Sequence, residues 1–596
     1  MSIVPLVKAT IYGLLEDKEQ VLTDMQHLGC LHLLPLKTDE GLRGEHGPTP
    51  QAREALKFLL SCPQRRRQML DPTRFDPGAI EQQALELQHK INALEDERDF
   101  LQRRITNLKP WGEFVFPALD ERHNLRLWFY IVPHNEMTKV EATNLVWEVV
   151  GRDERFNYVA VVSAEEPDGM PVARTHTGGK PLSQLEHRLE EVEMELEDLQ
   201  GERAKLTRWC SLFARGLARL EDQEERAWAA VQTYDQGPLF ALQGWAPRET
   251  STQLQRYADD KSLALTLDDP APGDQPPTLL HNPQRLTVGE DLVTFYMTPG
   301  YRIWDPSIVV FLSFTLFFAM IFSDAGYAAL LGAGLWFYWR QMGESAVGRR
   351  LRILFGSLIG ATLIWGISAG SYFGIAPPPE SLLGKLRFLD QNDIPTMMAL
   401  SIFIGVAHLV LANVMDSWRR GFTAAALAPL GWVCMLLGGT ALWIGPSASV
   451  VWQTAGTWAM GIGAVAVLLF TGEAGGLGQR LLSGMLGLTK ITSAFGDVMS
   501  YLRLFALGLA TGSLALAFND LAAQVYGIPG LGMLLAILVL VIGHGINLVL
   551  AVVSGFVHGL RLNVIEFFNW GVTEEGQLFR VFARKESAPW SPGSSH

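Results

Sequence analysis

The residues whose chemistry stands out lie in hydrophobic stretches. Ser500–Asn519, SYLRLFALGLATGSLALAFN, is an apolar run long enough to cross a bilayer, and it contains one arginine, Arg503. A second long apolar segment, from Gly530 to about Trp570, carries another, Arg561. An arginine at membrane depth costs from about 2.5 to more than 10 kcal/mol, so it marks a functional position and needs a partner. No acidic residue in the sequence is an obvious partner for Arg503. That predicts a partner on another protein.

The second segment carries a polar stripe. Asn547, Ser554, His558 and Arg561 are separated by seven, four and three residues, which places them on one helical face. In an apolar helix such a stripe faces protein or water rather than lipid. The plainer reading is a polar seam that only fixes helix packing. The permanently charged guanidinium favours a functional one. Glu566, five residues after Arg561, lines a water-filled entry or sits at the membrane interface. Asp324 reads as a hairpin-turn residue rather than a proton carrier. Asp497 and Glu473 read as solvated groups near the inner boundary.

These side chains need a membrane scaffold, and the sequence supplies one after about residue 300. Apolar runs recur at 307–323, 326–340, 353–374, 396–414, 426–444, 452–471, 489–518 and 531–568, about eight spanning candidates. The first two form a tight hairpin around Ser323-Asp324. The last two exceed the roughly 20 residues needed to cross, so they are tilted, kinked or extended beyond the bilayer. Lys and Arg set the orientation. Arg340, Arg349, Arg350, Arg352, Arg419, Arg420, Arg480, Arg580, Arg584 and Lys585 fall on one side, with Lys385 and Arg387 the exceptions. This predicts a multi-pass protein of the cell membrane with both termini cytoplasmic.

The front half is polar and charge-rich. Strand, helix and strand are expected at Leu6–Tyr12, Glu16–Leu28 and Leu31–Leu34, then a Gly/Pro-rich linker up to about Thr49. Ile80, Ala84, Leu87, Ile91, Leu94, Arg98, Leu101, Ile105 and Leu108 alternate in steps of four and three, a heptad seam. A second seam runs through Leu182, Leu185, Leu189, Val192, Leu196, Leu199, Arg203 and Leu206. Two such helices, about 79–109 and 181–216, predict an antiparallel coiled-coil arm. Strand candidates Leu125–Val132 and Tyr158–Val162 give a lobe at its tip. Leu239–Trp245, Arg248–Tyr257 and Ala264–Leu267 give a second lobe, followed by the linker Asp268–Pro277. The fold class is therefore multi-domain: a cytoplasmic domain over 1–300, an all-α polytopic membrane domain over 301–576 and a tail over 577–596.

Several classes are excluded. The net charge of -13 argues against nucleic-acid binding. Cys30, Cys62, Cys210 and Cys434 have no metal or disulfide spacing. The N-terminus is not a secretory signal. Thr177-Gly178-Gly179-Lys180 lacks the leading glycine and the closing Ser/Thr of a phosphate loop, and reads as a turn. No cofactor is expected.

Certain short motifs, in order, carry a resemblance. They are Pro110-Trp111-Gly112, Gly244-Trp245-Ala246-Pro247, Asp305-Pro306-Ser307 and Phe322-Ser323-Asp324-Ala325-Gly326-Tyr327. They continue with Gly370-Ser371-Tyr372-Phe373-Gly374, Ser500-Tyr501-Leu502-Arg503-Leu504, His558-Gly559-Leu560-Arg561-Leu562 and Glu566-Phe567-Phe568. Over nearly its whole length the chain resembles the membrane stator subunit of V-type and archaeal A-type rotary ATPases, called subunit a or subunit I, in a prokaryotic form. The resemblance implies two cytoplasmic lobes on a coiled-coil arm, docking peripheral-stalk subunits of E and G type. It implies an eight-helix membrane domain whose last two helices lie against a rotor ring of proteolipid (c, K or L type) subunits, with a central-stalk-associated subunit nearby and lipid around it. Arg503 and Arg561 match the family's two membrane arginines. His558 stands where some members have glutamine, and Thr511 where eukaryotic members have histidine. The implied activity is ion translocation, of protons or sodium, coupled to ATP synthesis or hydrolysis on other subunits. Arg503, Arg561, His558, Glu566, Ser554 and Asn547 are then the translocation residues. A self-contained secondary transporter is the rival reading, and it predicts inverted repeats that the sequence lacks. A membrane-anchored scaffold without an ion path leaves Arg503 and the stripe unexplained.

Overall fold

The computed structural model describes residues 2–37, 49–114, 125–283, 286–472, 477–572 and 574–585. The body of the linker before Thr49, Glu473 and the tail beyond Lys585 lie outside the described residues. The described chain forms two compact units, 2–37 with 229–583, and 49–228 with 584–585.

In chain order the polar half contains β1 (Leu6–Leu14), α1 (Lys18–Leu28), β2 (His32–Leu34), α2 (Pro50–Leu60), α3 (Pro77–Leu108), β3 (Arg126–Pro133), α4 (Met137–Glu141), β4 (Val146–Arg152) and β5 (Phe156–Ser163). It continues with β6 (Arg174–Thr175), α5 (Leu182–Leu206), α6 (Cys210–Gln232), β7 (Tyr234–Gln236), β8 (Leu239–Pro247), α7 (Ser251–Lys261), β9 (Ala264–Asp268) and α8 (Thr287–Thr294).

The first unit carries an antiparallel sheet in the order β2–β8–β1–β9, with β7 on β8. Leu6, Val7, Ala9 and Ile11 of β1 are buried, and Val21, Leu22 and Met25 of α1 pack in the same unit's core at helical spacing. Gly29 ends α1 in the left-handed region, φ 59°, where glycine carries no Cβ penalty.

The second unit holds a β4–β5–β3–β6 antiparallel sheet. Trp111, just after α3, packs edge-on against Phe129 and Tyr158 and ties the sheet to the helices. Helices α3 and α5 run antiparallel, because Ser183 bonds Glu113 while Arg188 bonds Glu97. Leu87, Ile91, Leu101, Leu185, Val192 and Leu196 fill the seam between them. The two seam arginines each find a partner beside the seam. Arg98 pairs with Asp99, and Arg203 lies over the Phe58 ring of α2, a helix the sequence reading left unassigned. Helix α5 ends at Leu206, and after one tight turn α6 continues to Gln232, beyond the end expected near 216. Leu196→Ala removes a fully packed seam residue. It should destabilise the helix pair by about 2–5 kcal/mol, read as faster amide hydrogen exchange across 182–206.

The apolar half contains α9 (Ser307–Phe322), α10 (Ala325–Met342), α11 (Ala346–Ala369), α12 (Leu382–Lys385), α13 (Ile394–Arg420), α14 (Leu427–Ala448) and α15 (Val450–Phe470). It ends with α16 (Leu477–Leu488), α17 (Ile491–Ser500), α18 (Leu502–Tyr526), α19 (Gly532–Arg561) and α20 (Phe568–Gly571). Among the described residues, six helical segments are long and apolar enough to cross a membrane, and α9 is a shorter apolar helix. The expected seventh span is two helices, α17 and α18, broken at Ser500–Tyr501. The expected eighth is α19, then a π-helical stretch over Leu562–Phe567, then α20.

The residues after α20 return to the first sheet. Thr278 N–H donates to the Gln577 carbonyl, Phe579 N–H to Thr278 and Phe582 N–H to Leu31. Phe579 packs with Leu6 and Trp245. The start and end of this unit therefore lie together, on one side of the helical region.

Candidate functional site

The break at Ser500–Tyr501 seats Arg503. Tyr501 is fully buried, and its hydroxyl meets His408 Nδ1 of α13 at 2.8 Å. The His408 ring stacks on Phe567 at 4.2 Å, and Phe317 of α9 packs edge-on against both His408 and Tyr501. Gly405 allows this approach, since a Cβ there would lie 2.6 Å from the Tyr501 ring. One aromatic block thus fixes both the start of α18 and the π-helical stretch.

That stretch sets Glu566. In an α-helix, residues five apart lie about 140° from each other. In a π-helix, i and i+5 are hydrogen-bonded neighbours. The π turn after Arg561 therefore brings Glu566 back toward the Asn547–Arg561 stripe and inward, where it is 2% exposed. The expected position at a water-filled entry or the membrane interface fits a regular α-helix, and the π turn moves Glu566 away from it. Asn563, in the same stretch, is anchored by Ser313 of α9 and by the Gly559 carbonyl.

The expectation that Arg503 lacks an acidic partner within the chain is corrected here. An Arg503 guanidinium nitrogen lies 3.9 Å from a Glu566 carboxylate oxygen. This is an ion pair too long to be a hydrogen bond. His558 lies within electrostatic reach of both Arg503 and Arg561, and so does Glu566. Three buried polar atoms in this group, Arg503 Nη1, His558 Nδ1 and Glu566 Oε2, have no hydrogen-bond partner among the described residues. Buried polar groups are nearly always paired, which sets these three atoms apart from an ordinary packed seam. Arg561 is exposed, Arg503 and Ser554 are partly so, and α19 turns Val549, Val553 and Val557 outward. The site opens on a lipid-facing or partner-facing surface.

Asn547 does not join it. Its amide is 1% exposed and donates to the Tyr327 hydroxyl at 3.1 Å and to the Thr511 carbonyl at 3.0 Å. It bonds α19 to α10 and α18. The same network links Tyr327 to His544 and His544 to Asn519, residues that the sequence reading did not single out. On α18, Thr511 meets Asn547 and Asn519 meets His544, and the eight-residue step between them turns about 80° around the helix, so no shared face signalled them. Asp497 is not simply solvated: it is half-buried and accepts a 2.7 Å bond from the Trp570 indole.

Comparison with known proteins bears on what this arrangement serves. A protein named V-type ATP synthase subunit I from Chlamydia pneumoniae is 26% identical over 587 residues, covering 84% of this chain and 85% of its own. One of that name, subunit I 1, from Treponema pallidum is 24% identical, covering 95% of this chain and 97% of its own. The chain is a homologue of the V/A-type subunit I proteins. An A-type ATP synthase subunit I from Methanocaldococcus jannaschii is 27% identical over 447 residues, 68% of this chain and 64% of its own, so the homologues span bacteria and archaea. No protein-family model matches. A crystal structure of the cytoplasmic N-terminal domain of a V-ATPase subunit I aligns with 44% of this chain and 99% of its own at 17% identity. Its TM-score is 0.22, too low to carry a comparison.

Proposed function

We propose that this chain is the non-catalytic stator subunit of the membrane sector of a rotary V/A-type ATPase. In this role α18 and α19 face a ring of proteolipid subunits, and ion flow between them couples to ATP synthesis or hydrolysis elsewhere in the complex. The observation that carries the reading is the loose Arg503–Glu566 pair, part-exposed on its arginine side and surrounded by unsatisfied polar atoms.

The chemistry follows from the charges. A rotor carboxylate crossing lipid stays neutral, because a bare charge there is costly. Meeting Arg503 favours its ionised form and releases the ion. Glu566 holds Arg503 while no rotor carboxylate is present, and the 3.9 Å spacing keeps that hold weak enough to exchange. Arg561 and His558 extend the positive field, and Ser554 continues the path along α19. A fixed guanidinium between two half-channels also repels cations and prevents a short circuit.

About eight crossings are proposed, with α9 and α10 as the first pair. The two ends of the helical region lie together, which supports an even number. The arginine bias puts that side in the cytoplasm. The α3–α5 pair is the stem of the arm, and the lobes dock the peripheral stalk and hold the membrane helices still against the rotor.

Two experiments test this. A cysteine at exposed Ala506, one turn beyond Arg503, should cross-link to proteolipid in the assembled complex and not to other subunits. Glu566→Gln should lower ATP-driven ion transport in reconstituted vesicles by about a hundredfold with the complex intact. Unchanged transport would remove Glu566 from the path.

A further inference from the structure

A second polar cluster lies in the helical region, centred on His544 of α19, three residues before Asn547 and its neighbour on the helix surface. The Tyr327 hydroxyl of α10 meets His544 Nδ1, and His544 Nε2 meets the Asn519 side-chain oxygen of α18 at 3.0 Å. Asn519 is held in one orientation, because its amide N–H donates to the Phe373 carbonyl at 2.8 Å. Its oxygen therefore faces His544. That assigns the proton of the neutral ring to Nε2 and makes Nδ1 the acceptor of the Tyr327 hydroxyl. Asn547 completes the order by donating to the Tyr327 oxygen.

Backbone strain sits at the same place. Phe373 is in the left-handed region, φ 53°, a conformation that is costly for a bulky residue and that gathers at functional sites. In that conformation its N–H donates to Asp324, its carbonyl holds Asn519, and its ring packs edge-on against both Tyr327 and His544. Gly326 makes room for the ring, since a Cβ there would lie 2.6 Å from it. Among the described residues, the charge that reaches His544 is that of Asp324, and four donors hold that carboxylate in place. Asn519 lies about 24 Å along α18 from Arg503, toward the α18–α19 turn. In the proposed topology that is the outer side.

We infer that His544 and Tyr327 form a proton relay between the outer face and the Arg503 site, and that the ion carried is H⁺. The inference deepens the rotor reading and rests on it. Outer water gives a proton to His544 Nδ1 as the Tyr327 hydroxyl turns inward. The Nδ1 proton then passes to the phenol oxygen, while the phenol's own hydrogen leaves to water on the Ser554 side. Both side chains end as they began, and one proton has moved inward. Sodium has no such route. Its passage needs rings of carbonyls or carboxylates in place of its water, and the Asp324 carboxylate is already filled by its four donors.

The test uses the whole complex in vesicles and ATP-driven transport in sodium-free buffer, where the wild type should work at full rate. His544→Gln keeps polar contacts but cannot take up a proton, and it should lower transport about a hundredfold with the complex assembled. Tyr327→Phe keeps the ring and leaves Asn547 bonded to Thr511, and it should lose as much. Imidazole should restore part of the rate in His544→Ala, whereas pyrazole, which has the same shape but is far less basic, should not. Undiminished transport in His544→Gln or Tyr327→Phe, equal rescue by the two rings, or a requirement for sodium would each overturn the relay. Arg503→Ala keeps the two readings apart. A silent Arg503→Ala complex beside a fully active His544→Gln complex rejects the relay alone, whereas an active Arg503→Ala complex rejects the rotor reading.

Discussion

Arg503→Ala should lower ATP-driven ion transport by at least about a hundredfold, the usual cost of losing a group that stabilises transient charge in a dry site. The complex should still assemble. The side chain makes no hydrogen bond through Nη1, and its ion pair with Glu566 is long, so little packing depends on it. Arg503→Lys should recover only a small part of the activity. An ammonium can lose its proton when desolvated, whereas a guanidinium stays charged. The double variant Arg503→Ala with Glu566→Gln measures how far the two residues act as one unit: a single functional pair transports no less in the double variant than in Arg503→Ala alone, whereas residues acting separately give a further loss. Transport surviving in Arg503→Ala, measured by vesicle acidification or sodium uptake, would falsify the translocation reading.

Much of this architecture was legible because it rests on periodicity. The heptad seams of α3 and α5 place Leu87, Ile91, Val192 and Leu196 where they pack. The apolar run Leu6–Tyr12 marks β1, in which Ala9 and Ile11 are buried. The two membrane arginines were legible because charge in an apolar run is costly. What failed to show were departures from regular pitch. The π-helical stretch has no signal in composition, yet it decides that Glu566 reaches Arg503 rather than the interface. The break at Tyr501 is set by a histidine 93 residues earlier, a contact no local pattern reports. Asn547 looked like part of a path because its helical face was right. Its partners, Tyr327 and Thr511, lie on other helices, contacts that spacing along α19 does not report.

The largest loss of stability should come from Asp324→Ala, and it separates scaffold from path. Asp324 is 1% exposed at the turn between α9 and α10. Oδ1 accepts the N–H groups of Tyr327 and Phe373, and Oδ2 accepts the Gly374 N–H and the Ser371 hydroxyl. A carboxylate offers about four lone-pair positions, so this one has none spare for a travelling proton. That geometry fits a turn residue that locks α10 to the loop after α11. Gly366 lets α11 come close beside it, since a Cβ there would lie 2.3 Å from the Ala325 nitrogen. Alanine leaves four donors without an acceptor, and each buried orphan costs about 1–3 kcal/mol. Even with partial relaxation, a loss of about 4 kcal/mol or more is expected. Asparagine keeps one acceptor oxygen and should fall between wild type and alanine. Thermal unfolding of the detergent-solubilised complex reads this order. The contrast with Arg503 is the informative part. Arg503→Ala should give normal amounts of an inactive complex, whereas Asp324→Ala should give little complex, the assembled fraction of which still transports. The reverse pattern would mean that the α9–α10 turn, and not the Arg503–Glu566 pair, carries the ion.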